Sequence, residues 1–79
     1  MDNKAIRKFV KERDAALLSL DKEKIQRFCK KHGTPIPQDE KVFWAGVHKA
    51  ILHMNAATEE QKLDSTLWLL ENGFYPHIF

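Results

Sequence analysis

The sequence predicts an all-α fold, a small four-helix domain built from two αα-hairpins, and three observations predict it. Apolar residues recur at steps of three and four along most of the 79 residues. Residues that favour helix starts precede those runs, most clearly Asp21 and Thr58. Glycine and proline, three of each, cluster where turns are needed.

The first helix is expected over residues 3–19, capped by Asp2 or Asn3. Ile6, Phe9, Val10, Arg13, Leu17 and Leu20 keep the helical step, with Ala16 filling the stripe, and Lys4, Lys8, Lys11 and Glu12 take the opposite face. Asp21 caps a short second helix, with Leu20 and Ile25 at the two positions of a hydrophobic staple. Ile25, Phe28 and Cys29 form its apolar stripe, and His32 extends it. Lys30, Lys31 and His32 close it, where positive charge complements the helix dipole. Gly33 is the left-handed stop and Pro35 follows.

Thr34-Pro35-Ile36-Pro37 cannot continue a helix, because proline lacks a donor and restricts its predecessor. It reads as a stiff connector pinned by Ile36. The third helix, expected over residues 39–55, opens on Asp39 and Glu40. Val42, Phe43, Trp44, Val47, Ala50, Ile51, Leu52 and Met54 cover more than one face, as in a central helix. Gly46 there implies a close helix crossing, since an exposed glycine costs about 1 kcal/mol against alanine. Thr58-Glu59-Glu60-Gln61 is a capping box that starts the fourth helix. Leu63, Leu67 and Leu70 form its stripe, broadened by Trp68 and Leu69. Asn72-Gly73 ends it, with Phe74 placed over Leu69 in a Schellman motif. The aromatic tail, residues 74–79, is expected to pack back on the core. Lys24-to-Gly33 and Asp64-to-Gly73 faintly echo each other in ending on a polar residue followed by glycine.

The size allows one domain, residues 1–79, with a core worth only about 3–5 kcal/mol. Cys29 is the only cysteine, so no disulfide staples the chain and a structural zinc site lacks its ligands. Met1-Asp2-Asn3-Lys4 leads into no apolar signal region, and no run approaches the roughly 20 apolar residues of a membrane helix. A cytoplasmic protein is the expectation, with no cofactor, no membrane and no small-molecule substrate.

The candidates for chemistry are weak. His48 and His53 are five apart, where a zinc pair on a helix needs four, so both read as partly exposed helix residues. Cys29 shares its stripe with Ile25 and Phe28 and reads as a small hydrophobe, although His32 and nearby lysines would favour a thiolate. Ser19, Thr58 and Ser65 read as cap and surface hydroxyls, and Glu59-Glu60 as first-turn acids. No catalytic or metal residue is assigned, and the chain is read as a non-enzyme.

Two uneven features remain. Residues 1–31 hold ten Lys/Arg against five acids, a net of +5, whereas residues 32–79 hold three Lys against six acids, a net of −3. The basic half offers Lys4, Lys8, Lys11, Lys24, Arg27 and Lys31 to nucleic acid or to an acidic partner, or is simply a solvated face. The second half is rich in aromatics, and Trp44, Trp68, Tyr75 and Phe79 are the candidate protein interface, for another protein or a second copy.

The run Val42-Phe43-Trp44-Ala45-Gly46-Val47-His48-Lys49-Ala50-Ile51 and the start Ala57-Thr58-Glu59-Glu60-Gln61-Lys62 resemble small helical proteins of Gram-positive bacteria and their phages. The resemblance covers about half the chain and brings no activity and no site residue with it. It implies an accessory role, such as a phage- or mobile-element-type regulator or an inhibitor of host defence. The expected function is thus a protein-interaction module, with a nucleic-acid-binding protein as the alternative.

Overall fold

A computed structural model describes residues 3–74 and shows four α-helices and, among those residues, no strand. They are α1 (Asn3–Leu18), α2 (Lys22–Lys31), α3 (Glu40–Leu52) and α4 (Glu59–Glu71). Two compact units divide the chain, residues 1–35 and residues 36–79. The tail, including Tyr75 and Phe79, and the Asp2 cap lie outside the described residues.

Local sequence accounts for the helix ends. The Asp21 carboxylate accepts from the Glu23 and Lys24 amides at 3.0 and 3.3 Å, capping α2. Asp39 accepts from the Val42 amide at 3.0 Å and does the same for α3. At α4 the Thr58 hydroxyl accepts from the Gln61 amide and the Gln61 side chain accepts from the Thr58 amide, completing the capping box. The echo between Gly33 and Gly73 has a structural cause. Both glycines are left-handed, with φ of +67° and +85°. After each, the next amide donates at 2.8 Å to a carbonyl five residues back, Thr34 to Cys29 and Phe74 to Leu69. These are two Schellman motifs.

In the first unit α1 packs on α2. Phe9 lies 5.6 Å from Phe28 between ring centres, and His32 meets both rings. At 1.5 Å per residue, α1 is roughly 24 Å long and α2 roughly 15 Å, so α2 covers only part of its neighbour. The expected α1 stripe is therefore incompletely buried: Ile6 and Phe9 stay exposed, and the one buried residue of the helix is Asp14. Its carboxylate accepts from Arg13 Nε and Nη2 at 3.2 and 3.0 Å. Leu20 does not act as a buried staple residue. It takes a left-handed turn with φ of +52° and leaves half its surface in water.

In the second unit α3 packs on α4. Phe43, Ala45, Val47, His48 and Ile51 are buried, so α3 does bury more than one face, and Met54 is enclosed just beyond its end. The helix stops at Leu52, short of the expected residue 55. No close crossing occurs at Gly46, which is exposed with no atom within 4 Å of where a Cβ would stand. The largest departure is in α4. Ser65 and Leu69 are its buried residues, whereas Leu63, Leu67 and Leu70 are 58 %, 47 % and 45 % exposed. The apolar stripe faces outward.

Candidate functional site

Among the described residues, three places combine chemistry with accessibility or with unusual burial. They are the outer face of α4, a groove between α1 and α2, and a buried polar pair between α3 and α4.

On α4, steps of four and three put Leu63, Leu67 and Leu70 within about 60° of one another around the axis, spanning roughly 10 Å. The same geometry puts Glu60, Asp64 and Glu71 along one flank, and all three are exposed. The outer face is therefore an apolar strip with an acidic border. It exists because Ser65 and Leu69, one turn apart, supply the face that meets α3. A helix with two candidate contact faces can bury only one of them on α3.

The groove in the first unit has a volume of about 450 Å³ and is lined by Glu12, Ala15, Ala16 and Ser19 of the α1 side and by Lys24, Arg27, Phe28 and Lys31 of α2. Small alanines on α1 open it, and Phe28 lies beneath. Lys24, Arg27 and Lys31, three of the six basic residues singled out in the sequence, border it together. Lys31 donates to Glu12 at 2.8 Å, and His32 Nε2 lies 3.5 Å from the same carboxylate oxygen. The Lys31 hydrogen bond holds the Glu12 carboxyl below its ordinary pKa, against a smaller opposing effect of desolvation. Lys4, Lys8 and Lys11 are exposed on α1 and do not line this groove.

The buried pair is His48 and Ser65. Nδ1 of the imidazole and the Ser65 hydroxyl are 2.9 Å apart, with the residues 7 % and 2 % exposed. The sequence reading placed both on the surface, and the structure corrects it. Trp68 stacks on the imidazole, with ring centres 4.6 Å apart and 25° between planes, and Trp44 lies 6.2 Å away. Phe74 stacks in turn on Trp68, and the Lys49 ammonium stands 5.5 Å over the Phe74 ring. Desolvation pushes the His48 imidazole below its ordinary pKa, so it is neutral at neutral pH. A serine beside a histidine is the beginning of a nucleophilic arrangement. A nucleophile needs access to substrate, however, and side chains this enclosed offer none. The pair acts as a polar rivet between α3 and α4.

Trp44 and Trp68 are thus half-buried members of an aromatic layer around His48, while Tyr75 and Phe79 fall outside the described residues. Among the described residues the exposed large apolar side chains are Ile6, Phe9, Leu20, Val42, Leu63, Leu67 and Leu70, and the last three share one face of α4. A helical wheel separates this stripe from a second one through Ser65 and Leu69. The sequence cannot say which of two stripes a single neighbour will take. Cys29 is half-buried. Among the described residues no three His, Cys, Asp or Glu side chains converge on a position that could hold a metal ion. No described helix is long and apolar enough to cross a membrane.

Compared with known proteins, the chain matches no family model, no curated protein and no solved structure.

Proposed function

We propose that this protein is a non-enzymatic protein-interaction module whose contact surface is the outer face of α4. The observation that carries this reading is the continuous exposed stripe of Leu63, Leu67 and Leu70. Single exposed leucines are ordinary; three in register along two turns of a helix form a patch, and patches of that kind mark binding surfaces. Burying the exposed half of each would contribute roughly 1 kcal/mol per residue, enough for a modest interface. The Trp44–His48–Trp68 layer beneath gives the helix a rigid backing, which lowers the cost of ordering on binding. An accessory regulator or inhibitor of the phage or mobile-element type belongs to this reading, working by occupying a partner's surface. So do the αα-hairpin form of each helix pair and a tail packed back on the core, with Tyr75 and Phe79 adding to the apolar surface.

The test is the double substitution Leu63→Ser and Leu67→Ser. Tryptophan fluorescence and the unfolding midpoint should stay close to those of the parent, because these side chains already stand in water. Binding to any protein that the parent captures should be lost. Should the variant unfold, the leucines are core and the reading falls.

The alternative, nucleic-acid binding through the basic half, draws support from the gathering of Lys24, Arg27 and Lys31 along one groove. It calls for salt-dependent binding of a random-sequence duplex, weakened when Lys8, Lys11, Lys24 and Arg27 are made neutral. Absence of binding at low salt would end it.

A further inference from the structure

The two accessible features complement each other. The groove has an apolar floor of Ala15, Ala16 and Phe28 and a border of Lys24, Arg27 and Lys31. The α4 face has an apolar strip of Leu63, Leu67 and Leu70 and a border of Glu60, Asp64 and Glu71. Their lengths agree as well. Lys24 to Lys31 and Leu63 to Leu70 are each seven helical steps apart, roughly 10 Å. The charge balance extends the match, since residues 1–35 carry a net +5 and residues 36–79 a net −3.

We infer that the groove of one copy receives the α4 face of a second copy, so that the protein associates with itself head to tail. This rests on the reading of α4 as a protein-binding surface and names its partner. The mode is an amphipathic helix laid in a groove, with leucines on the alanine and phenylalanine floor and acids against the basic border. One detail favours this occupant over nucleic acid: the floor is apolar, which a phosphate backbone does not use. An α4-to-α4 pairing is disfavoured by the four acids against one lysine on that helix. Because the two surfaces differ, the contact is heterologous, groove to α4 face rather than like to like.

Charge reversal with mixing tests this. One variant carries Lys24→Glu and Arg27→Glu; the other carries Asp64→Lys and Glu71→Lys. All four positions are exposed, and the lysine at Glu71 falls in the last turn of α4, where positive charge suits the dipole. Sedimentation velocity of the full chain from micromolar to millimolar concentration, at low and moderate salt, is the readout. The parent should associate beyond a monomer, by at least tenfold less at the higher salt. Each variant alone should be monomeric, since its groove and its α4 then carry the same sign. Their equimolar mixture should associate again, because both pairings regain opposite charge. A parent that is monomeric throughout overturns the inference, as does a mixture that stays monomeric, or a dimer indifferent to the groove substitutions. A parent that binds a random-sequence duplex through Lys24 and Arg27, and not itself, assigns the groove to nucleic acid and also overturns it. If the parent is monomeric but still loses another protein on Leu63→Ser/Leu67→Ser substitution, the self-partner falls while the interaction reading stands. If those serines unfold the chain, both fall.

Discussion

Replacing Ser65 with alanine probes the rivet between α3 and α4 directly. The substitution deletes a hydroxyl 2.9 Å from His48 Nδ1 and leaves that nitrogen buried under Trp68. Removing one partner of a buried hydrogen bond, so that the other is left unsatisfied, costs about 1–3 kcal/mol. Alanine returns about 0.5 kcal/mol as the better helix former. The expected loss is therefore about 1.5 kcal/mol, which in a chain of 79 residues lowers the melting temperature by roughly 6–12 °C. Tryptophan fluorescence is the right assay, since Trp44 and Trp68 both flank His48 and report on this unit. The partner experiment is pH. Burial lowers the His48 pKa, so the unfolded chain takes up the proton first as pH falls. Stability should be complete above the ordinary histidine value of about 6.5 and decline below it, the sign that follows when the unfolded state binds more protons. His48→Phe should abolish that decline and also remove most of the cost of Ser65→Ala, because the orphaned nitrogen is gone. The reasoning is refuted if Ser65→Ala stays within about 0.5 kcal/mol of the parent, the range of an ordinary surface change. It is refuted equally if His48→Phe leaves the slope between pH 7 and pH 5 as it was.

Three glycine substitutions separate conformation from packing. Gly46→Ala should stabilise α3 by about 1 kcal/mol in urea denaturation, because nothing lies within 4 Å of the added methyl group; a loss would reveal a close neighbour at that position. Gly33→Ala and Gly73→Ala meet equally open space, yet their φ angles of +67° and +85° should make each destabilising by about 1–2 kcal/mol. Neutral results at both would rule out the left-handed Schellman ends. At low pH the pairing of Glu12 with Lys31 should contribute to stability only above the ordinary glutamate range and be lost as pH falls through the lowered Glu12 value, so Glu12→Gln should flatten the acid limb of the pH–stability curve.

Features governed by short-range chemistry were legible before any folding partner was known. Capping is settled within four residues, so Asp21, Asp39, Thr58 with Gln61, and Gly33 and Gly73 were legible as helix ends and stand at them. The four helices follow from those ends and from the apolar spacing between them. Charge partition between the halves is likewise a property of composition. Which faces are covered depended instead on how the helices meet. α4 offers two stripes, and the spacing of Leu63, Leu67 and Leu70 reads as core at least as well as that of Ser65 and Leu69. A serine gives no hydrophobic signal, yet its small volume and hydroxyl let α4 close on His48. The same limit hid His48, since the energy of burying an imidazole depends on whether another helix brings it a partner. Gly46 and Ile6 erred in the same direction, each assumed to have a neighbour. Local grammar fixes where helices begin and end through bonds four residues apart, whereas burial is a pairwise property of elements distant in the chain, and the leucines facing outward on α4 are the part of this protein that only that pairing reveals.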